Sequence, residues 1–256
     1  MPKYGMVIDL RKCVGCGACA LACKAENNTR DRGNGQGHNW ADFINKTEGV
    51  FPNTTYTSMP VLCNHCDEPA CVPNCPVSPA AIFKTPEGFV LINDEICTGC
   101  QACQKSCPYS APELDAGSLT GDAYSVISFN HKRRPTQPRW EDKAELIPGC
   151  TASGAETAKA AGAAIPALNH YESENLHALR ARGVVEKCTF CHHRVSHGLQ
   201  PACVEACPSK ARVFGDQKDP KSEIARILKT NKTSRLKEDK GTKPNVFYIN
   251  KFGPRA

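Results

Sequence analysis

Cysteine is the residue that most constrains what this chain can fold into. The sequence holds 17 cysteines in 256 residues, and all but Cys150 fall into four groups of four. In chain order the groups are Cys13, Cys16, Cys19 and Cys23; Cys63, Cys66, Cys71 and Cys75; Cys97, Cys100, Cys103 and Cys107; and Cys188, Cys191, Cys203 and Cys207. Disulfide scaffolds place scattered cysteines in short secreted chains. The grouping here instead predicts metal centres, with Cys150 as a free thiol.

The spacing within the groups is typical of iron–sulfur ligation. Groups one and three have the form C-x2-C-x2-C-x3-C, and Pro108 after group three completes the bacterial ferredoxin run for a [4Fe–4S] cluster. Three cysteines on such a tight loop can ligate one cluster, and small residues such as Gly15 and Gly99 let backbone N–H groups approach its sulfurs. The fourth cysteine begins a helix that points away, so it ligates a different cluster. In groups two and four the third cysteine is displaced by a loop insertion, which still permits ligation if the loop folds back.

Two groups that exchange their fourth cysteines hold two clusters between them. Groups two and three are close in sequence, and groups one and four have complementary forms, so we expect exchange within these two pairs. The predicted ligands are Cys13, Cys16, Cys19 and Cys207 (set 1); Cys188, Cys191, Cys203 and Cys23 (set 2); Cys63, Cys66, Cys71 and Cys107 (set 3); and Cys97, Cys100, Cys103 and Cys75 (set 4).

An internal repeat predicts the fold class. The stretch "VIDLRKCVGCGACALAC" aligns with "LINDEICTGCQACQKSC", and each has a short apolar strand, an acidic residue and then a cysteine loop. We therefore predict an α+β protein of two ferredoxin-like modules related by internal pseudo-symmetry. Module A would comprise residues 1–59 and 131–256, and module B residues 60–130. The segments 24–60 and 132–180 would be long loop insertions, which usually contact partners.

Zinc is the alternative to iron–sulfur clusters. Pairs of the form C-x2-C are common zinc ligands, and four groups could hold four zinc ions. A tetrahedral zinc site, however, uses two separated pairs rather than a triplet with an outlying fourth cysteine. The repetition of the triplet therefore favours [4Fe–4S] clusters.

The rest of the sequence indicates electron transfer rather than catalysis. No Ser/His/Asp set, no carboxylate pair in a defined motif and no nucleotide fingerprint stands out, so we expect no catalytic residue in this chain. Four clusters in a line would conduct electrons from one end of the protein to the other and would need a partner protein at each end. A free-standing polyferredoxin carrier is the alternative, although the long insertions favour a bound subunit. The formal charge of +6 offsets the charge of about −2 on each tetrathiolate cluster, so it does not indicate nucleic-acid binding.

The sequence also bears on location. It contains no run of about 18 apolar residues, so we predict no transmembrane segment. The N-terminal stretch "MPKYGMVIDLRKC" has neither the apolar region of a signal peptide nor a twin arginine. We expect the chain either to stay in the cytoplasm or to be exported attached to a partner that carries the signal.

The sixteen grouped cysteines and their order resemble a known family. It is the four-cluster iron–sulfur subunit of the molybdopterin oxidoreductases of the dimethyl sulfoxide reductase superfamily. Within that family the stretches "YGMVIDLRKCVGCGACALACKAENNT", "VEKCTFCHHRV" and "VFYINKFG" are most similar to the small subunits of respiratory arsenate reductase and anaerobic arsenite oxidase.

The resemblance implies partners that the chain does not itself supply. It implies a large catalytic subunit with a molybdopterin centre, and electron exchange with a membrane quinone-binding subunit or a cytochrome. Set 1 would lie nearest the catalytic subunit and set 4 at the far end. The resemblance also implies a periplasmic complex whose large subunit bears the signal. Polysulfide, thiosulfate and tetrathionate reductases use similar subunits, so their substrates are alternatives to arsenic oxyanions.

Overall fold

The computed structural model describes most of the chain. The described residues are 1–29, 31–33, 36–37, 40–110, 125–130, 143–145, 148–149, 152–160, 162 and 183–250. Cys150 and most of the predicted insertion 132–180 lie outside them, so the predictions made for those residues stay predictions.

Short strands and short helices alternate along the chain. The strands are β1 (Tyr4–Asp9), β2 (Asp31–Gly33), β3 (Gln36–Gly37), β4 (Ala41–Val50), β5 (Asn53–Leu62), β6 (Ile82–Lys84), β7 (Val90–Ile92), β8 (Ile127–Asn130), β9 (Val184–Lys187), β10 (Arg212–Asp216), β11 (Thr233–Ser234) and β12 (Val246–Ile249). The helices are α1 (Ala18–Asn27), α2 (Ala102–Ser106), α3 (Gly154–Ala160), α4 (His192–Val195), α5 (Ala202–Glu205) and α6 (Glu223–Thr230), with a 3₁₀ turn at Glu238–Lys240. This mixture agrees with the predicted α+β class.

The largest sheet joins the two ends of the described chain. Its strand order is β10-β1-β12-β11, with β1 antiparallel to β10 and parallel to β12. Alternation along β1 sends Met6 and Ile8 into the main core, while Val7 packs on the other face with Ile224 of α6. Ser222 caps α6 by accepting a hydrogen bond from the N–H of Ala225. Both faces of this sheet are therefore buried, and it forms a rigid support for the cysteine loop that follows β1.

An antiparallel strand pair lies between each cysteine group and the next. The strand after a group pairs with the strand before the following group, which gives the antiparallel pairs β4–β5, β6–β7 and β8–β9. Pairing of β10 with β1 closes the series, since β10 follows group four and β1 precedes group one. The β8–β9 pair joins residues that the sequence assigns to different modules. The division into modules A and B and their pseudo-symmetry stay predictions.

The segment 24–60 is more regular than the predicted loop insertion. It contains the end of α1 and most of a hairpin whose two strands, β4 and β5, pair along ten residues each. Threonine, isoleucine, valine and aromatic side chains are frequent in "FINKTEGVFPNTTYTSMPVL", and these residues favour strands. The hairpin tip carries Phe51, which is 87% exposed.

The loop of group three is closely packed at Gly99. Its φ is +68°, and a Cβ there would lie 2.1 Å from the carbonyl oxygen of Gly183 and 2.7 Å from the Phe129 ring. We expect Gly99→Ala to lower the thermal midpoint and the iron content, because backbone would have to move. Gly17→Ala is the matched control, since Gly17 also has a positive φ but a Cβ would have no neighbour within 4 Å. It should cost only the left-handed strain of about 1–2 kcal/mol. Equal losses in both variants would contradict the packing argument.

Candidate iron–sulfur cluster sites

All four C-x2-C loops share one backbone feature. The residue before the second cysteine has a left-handed φ, which is +69° at Gly15, +43° at His65, +68° at Gly99 and +54° at Phe190. This turn reverses the chain within one residue, so consecutive backbone N–H groups can point into the loop and form an anion-binding concavity. Glycine adopts the conformation without strain, whereas His65 and Phe190 must be held there by packing.

Set 1 lines a cavity beside the main sheet. Cys13, Cys16, Cys19 and Cys207 line a pocket of about 310 Å³, part of which is open to solvent. The first three thiols come from the loop between β1 and α1 and from the start of α1, and Cys207 comes from the segment between α5 and β10. The β1–β10 pairing brings these distant segments together.

Sets 3 and 4 line two further cavities. Cys63, Cys66, Cys71 and Cys107 line a pocket of about 340 Å³. Cys75, Cys97, Cys100 and Cys103 line one of about 300 Å³, and both volumes include space open to solvent. In each cavity three thiols come from one cysteine group and the fourth from the other group of the predicted pair.

The thiols of set 2 meet in the interior. Cys23, Cys188, Cys191 and Cys203 are each no more than 6% exposed. Burial raises the pKa of Cys23 to about 12, and the charge of the neighbouring Cys203 thiolate contributes to this rise. Burial also raises the pKa of Cys191 well above its usual value, with Cys203 and Cys23 as the nearest like charges. The structure thus brings the four thiols of each set together, while the ligand assignment itself stays a prediction.

The sets are neighbours in the order 1, 2, 3, 4. Burial raises the pKa of Cys203 in set 2, and the thiolate of Cys19 in set 1 adds to it. Burial likewise raises the pKa of Cys188 in set 2, with a contribution from Cys63 in set 3. For Cys71 in set 3, burial is again the main cause of a raised pKa, and Cys103 of set 4 contributes. Because the interaction between like charges weakens with distance, these pairs indicate which sets lie next to each other.

The donor sets fit [4Fe–4S] clusters better than zinc. Burial raises the pKa of Cys66 and of Cys103 to about 12, so the thiolates that metal binding requires need a large compensating positive charge. Zinc–sulfur bonds are about 2.3 Å long and would draw four sulfurs around a single ion. Within the described residues, no three Cys, His, Asp or Glu side chains converge on a single-ion site. Three thiols from one loop and a fourth from a separate segment, all lining one pocket, instead suit a larger group that each thiol can reach from its own side.

The sulfur of Cys207, a predicted ligand, accepts hydrogen bonds in this structure. Burial alone would raise the pKa of Cys207, but hydrogen bonds from the Ser209 hydroxyl and from the backbone N–H of Ala211 hold it below its usual value. The Ala211 nitrogen lies 3.3 Å from the Cys207 Sγ. Such hydrogen bonds stabilise a thiolate and help to set the potential of a bound cluster.

Several buried basic side chains escaped the sequence analysis, and Arg212, Lys187 and His65 are three of them. Arg212 lies beside sets 1 and 2 and is 3% exposed, Lys187 precedes Cys188 and is 2% exposed, and His65 is fully buried. Lys187 donates to the carbonyl oxygens of Val90 and Cys188. His65 stacks on Phe190 with ring centroids 3.8 Å apart. Basic side chains are seldom buried, so nothing in the local sequence marks these residues as part of the core.

A network of ion pairs lies next to set 2. Glu26 of α1 accepts from His193 Nε2 at 2.7 Å and from Arg194 Nη1 at 3.1 Å. Burial would raise the pKa of Glu26, but these two partners together hold it below its usual value. Arg194 also donates to Glu205 at 2.5 Å and to the carbonyl oxygen of Gln200 at 2.7 Å. The network ties α1, which carries Cys23, to the helices that carry or follow Cys191 and Cys203.

Neutralising the buried carboxylate of this network should destabilise the fold. We expect Glu26→Gln to destabilise the folded protein by about 3 kcal/mol, because it leaves buried positive charge with less compensation. Glu205→Gln is the matched control. The side chain of Glu205 is 49% exposed, so its replacement should cost no more than about 1 kcal/mol. Thermal unfolding of the iron-loaded variants measures both, and an equal effect at the two glutamates would contradict the role given to Glu26.

Comparisons with known proteins agree with this chemistry. A family model described as a 4Fe-4S dicluster domain matches residues 54–123 and 169–217, and one described as a 4Fe-4S binding domain matches residues 4–25. The arsenate respiratory reductase iron-sulfur subunit ArrB of Shewanella sp. (strain ANA-3) is 44% identical over 255 residues, which cover 99% of each chain. A selenate reductase subunit of Mesobacillus selenatarsenatis is 33% identical over 96% of this chain and 72% of the relative. A tetrathionate reductase subunit of Salmonella typhimurium is 32% identical with the same coverage.

No helix among the described residues is long and apolar enough to span a membrane.

The thiols lie in ferredoxin-like loops, within segments that match 4Fe-4S domains. The similarity to ArrB extends over the whole chain. The chain therefore belongs to the family of 4Fe–4S electron-transfer subunits of the dimethyl sulfoxide reductase superfamily.

Proposed function

We propose that this chain carries four [4Fe–4S] clusters, one on each thiol set, and conducts electrons to or from a molybdopterin catalytic subunit. At the other end of the cluster series, electrons would be exchanged with a membrane quinone-binding subunit or a cytochrome. A [4Fe–4S] cluster supplies one-electron transfer when it is bound. The support for the proposal is that a thiol of set 2 interacts with one of set 1, a thiol of set 2 with one of set 3, and a thiol of set 3 with one of set 4.

The exposure of the thiols supports electron exchange with partners at sets 1 and 4. Cys16 of set 1 and Cys100 of set 4 are exposed, whereas all four thiols of set 2 are buried. Sets 1 and 4 can therefore approach partner proteins, and set 2 can exchange electrons only with its neighbours in the chain. Tyr109 and Phe190, each 1% exposed, exclude water from the inner sets. By family resemblance, set 1 faces the catalytic subunit.

We infer that the catalytic partner acts on arsenic oxyanions, as an arsenate reductase or an arsenite oxidase. The support is the 44% identity to a subunit named for respiratory arsenate reduction. Tetrathionate is the second candidate, because a tetrathionate reductase subunit is 32% identical over 96% of this chain. Polysulfide and thiosulfate belong to the same group of alternatives. The substrate would bind the catalytic subunit, so no residue of this chain is assigned to it.

We also propose that the complex is periplasmic and that the chain is exported with a signal-bearing partner. The support is the family resemblance alone. Fractionation of the native host into periplasm and cytoplasm tests this, and recovery of the folded complex from the cytoplasm would contradict it.

The decisive experiment is purification from the native host under anaerobic conditions with whatever remains bound. We expect a stoichiometric complex with a large molybdenum subunit, about 16 iron atoms on this chain, and arsenate reduction or arsenite oxidation. A molybdenum partner with tetrathionate, thiosulfate or polysulfide activity would keep the electron-transfer role and change the substrate. A brown monomer without a partner would favour the free carrier, and zinc in place of iron would overturn the cluster proposal.

A further inference from the structure

Arg212 is the most unusual side chain that the electron-transfer role leaves unexplained. It opens β10, where it pairs with Ile8 of β1, and its side chain points inward, so that it is 3% exposed. A guanidinium group stays charged in proteins because its pKa exceeds about 12. Burying such a charge is strongly unfavourable unless negative charge lies close by. The contacts of Arg212 must therefore explain why this residue is tolerated in the core.

The contacts of Arg212 are with sulfur rather than with carboxylates. Its Nη1 lies 3.8 Å from the Sγ of Cys203 and 3.7 Å from the Sδ of Met6. Its Nη2 is buried and has no hydrogen-bond partner in the described part of the chain. The ion pairs found among the described residues include Arg11, Arg194 and several lysines but not Arg212.

Arg212 lies where two thiol sets meet. It lines the cavity of set 1 together with Cys19, and it contacts Cys203 of set 2. Four thiolates around a [4Fe–4S] core leave about −2 at each site, so two sites of negative charge flank one guanidinium. Their charge is the compensation that the buried arginine requires.

We propose that Arg212 sets the reduction potentials of the two clusters on sets 1 and 2 by placing one positive charge, unpaired with any carboxylate of the described residues, between them. The inference rests on the proposed four-cluster function. One-electron reduction adds a negative charge to a site, and a nearby buried cation stabilises the reduced form. Both potentials are therefore higher with Arg212 than without it. Sets 3 and 4 lie beyond set 2 and are affected much less.

The test is a redox titration of the anaerobically purified, iron-loaded protein with any bound partner, followed by electron paramagnetic resonance. In Arg212→Met, which keeps most of the volume and removes the charge, two of the four midpoint potentials should shift to more negative values. Lys12→Met is the control, since it removes an equal charge from an exposed position next to Cys13, where water screens it. It should leave all four midpoints in place. Unchanged midpoints in Arg212→Met, or equal shifts of all four, would overturn the inference.

A second pair of variants covers the case in which Arg212→Met fails to assemble. Met6 is fully buried beside the guanidinium, so Met6→Glu would place a carboxylate against Arg212 and neutralise it without removing it. The same two midpoints should shift negatively in Met6→Glu and stay in place in the neutral Met6→Gln. Identical midpoints in these two variants would refute the inference while leaving the four-cluster proposal intact. If the wild-type protein itself held no iron, both proposals would fall, and its iron content is therefore measured first.

Discussion

Removing the iron should abolish cooperative folding of this chain. The main core is not an ordinary apolar core, because eight of its buried members are cysteines. They are Cys19, Cys23, Cys63, Cys66, Cys71, Cys103, Cys188 and Cys203. These side chains line or adjoin the sites where we place the clusters. Without the clusters, the walls of four sites lose their central packing partner.

The size of the effect follows from the coupling of metal binding to folding. Because the thiols of each set come together only in the folded chain, the free energy of binding a cluster adds to the stability of the fold. For structural zinc this contribution is about 10 kcal/mol or more, which is as large as the whole stability of a typical domain. We therefore expect the loss of four clusters to exceed what the rest of the fold can compensate.

Circular dichroism on heating, before and after anaerobic treatment with an iron chelator, measures this loss. The treated chain should show no sharp thermal transition and should bind a hydrophobic dye, and reconstitution with iron and sulfide should restore the transition. A sample taken through the same steps without chelator is the control. A treated chain that keeps the thermal midpoint of the control would show that the thiol sites are not needed for the fold.

Replacing Cys207 by serine should remove the cluster whose other ligands lie farthest from it in sequence. Cys207 lines the same cavity as Cys13, Cys16 and Cys19, and it packs against Cys13 in a small separate cluster with Ala211. Cys203, only four residues earlier, is buried with the other thiols of set 2. We therefore expect Cys207→Ser to lose about a quarter of the iron, all of it from set 1.

Alkylation of accessible thiols under anaerobic conditions, followed by peptide mapping, identifies the lost site. In Cys207→Ser the three remaining thiols of set 1 should become reactive, while Cys188, Cys191 and Cys203 stay protected. Ser209→Ala is the matched control, because it removes the hydroxyl 3.7 Å from the Cys207 Sγ and leaves the thiol in place. Its iron content should stay at the wild-type level. Reactive thiols in set 2 and protected thiols in set 1 would refute the exchange of fourth cysteines between groups one and four.

The chemistry of this chain could be predicted from the sequence because it depends on local spacing. Two residues between cysteines leave room for one turn, and in all four loops that turn includes a residue of positive φ, such as Gly15 or Phe190. A loop of this kind is specified by a few consecutive residues, whatever the rest of the fold does. The prediction that the fourth cysteine begins a helix was wrong, since α1 and α2 begin one residue before Cys19 and Cys103, the third cysteines of their groups.

The long hairpin at residues 41–62 was less accessible to sequence analysis. Its residues have strand propensity, but polar and glycine-rich residues precede it, and the composition of the segment as a whole favoured a loop. Strand pairing over ten residues depends on register between two stretches, which single-residue preferences describe poorly. The pairing of β10 with β1, from opposite ends of the chain, is a long-range contact of the same kind.

The sequence by itself determined which group this protein binds and which thiols are available to bind it, because both depend on residues that are neighbours along the chain. Only the tertiary structure decided what lies between the thiol sets: Arg212 at sets 1 and 2, and Lys187 with His65 at sets 2 and 3. A buried cation is stable only where distant segments bring compensating charges or carbonyl oxygens around it. That condition is met by packing between residues as far apart in sequence as Met6 and Arg212. No local sequence pattern therefore predicts the position of these buried basic side chains.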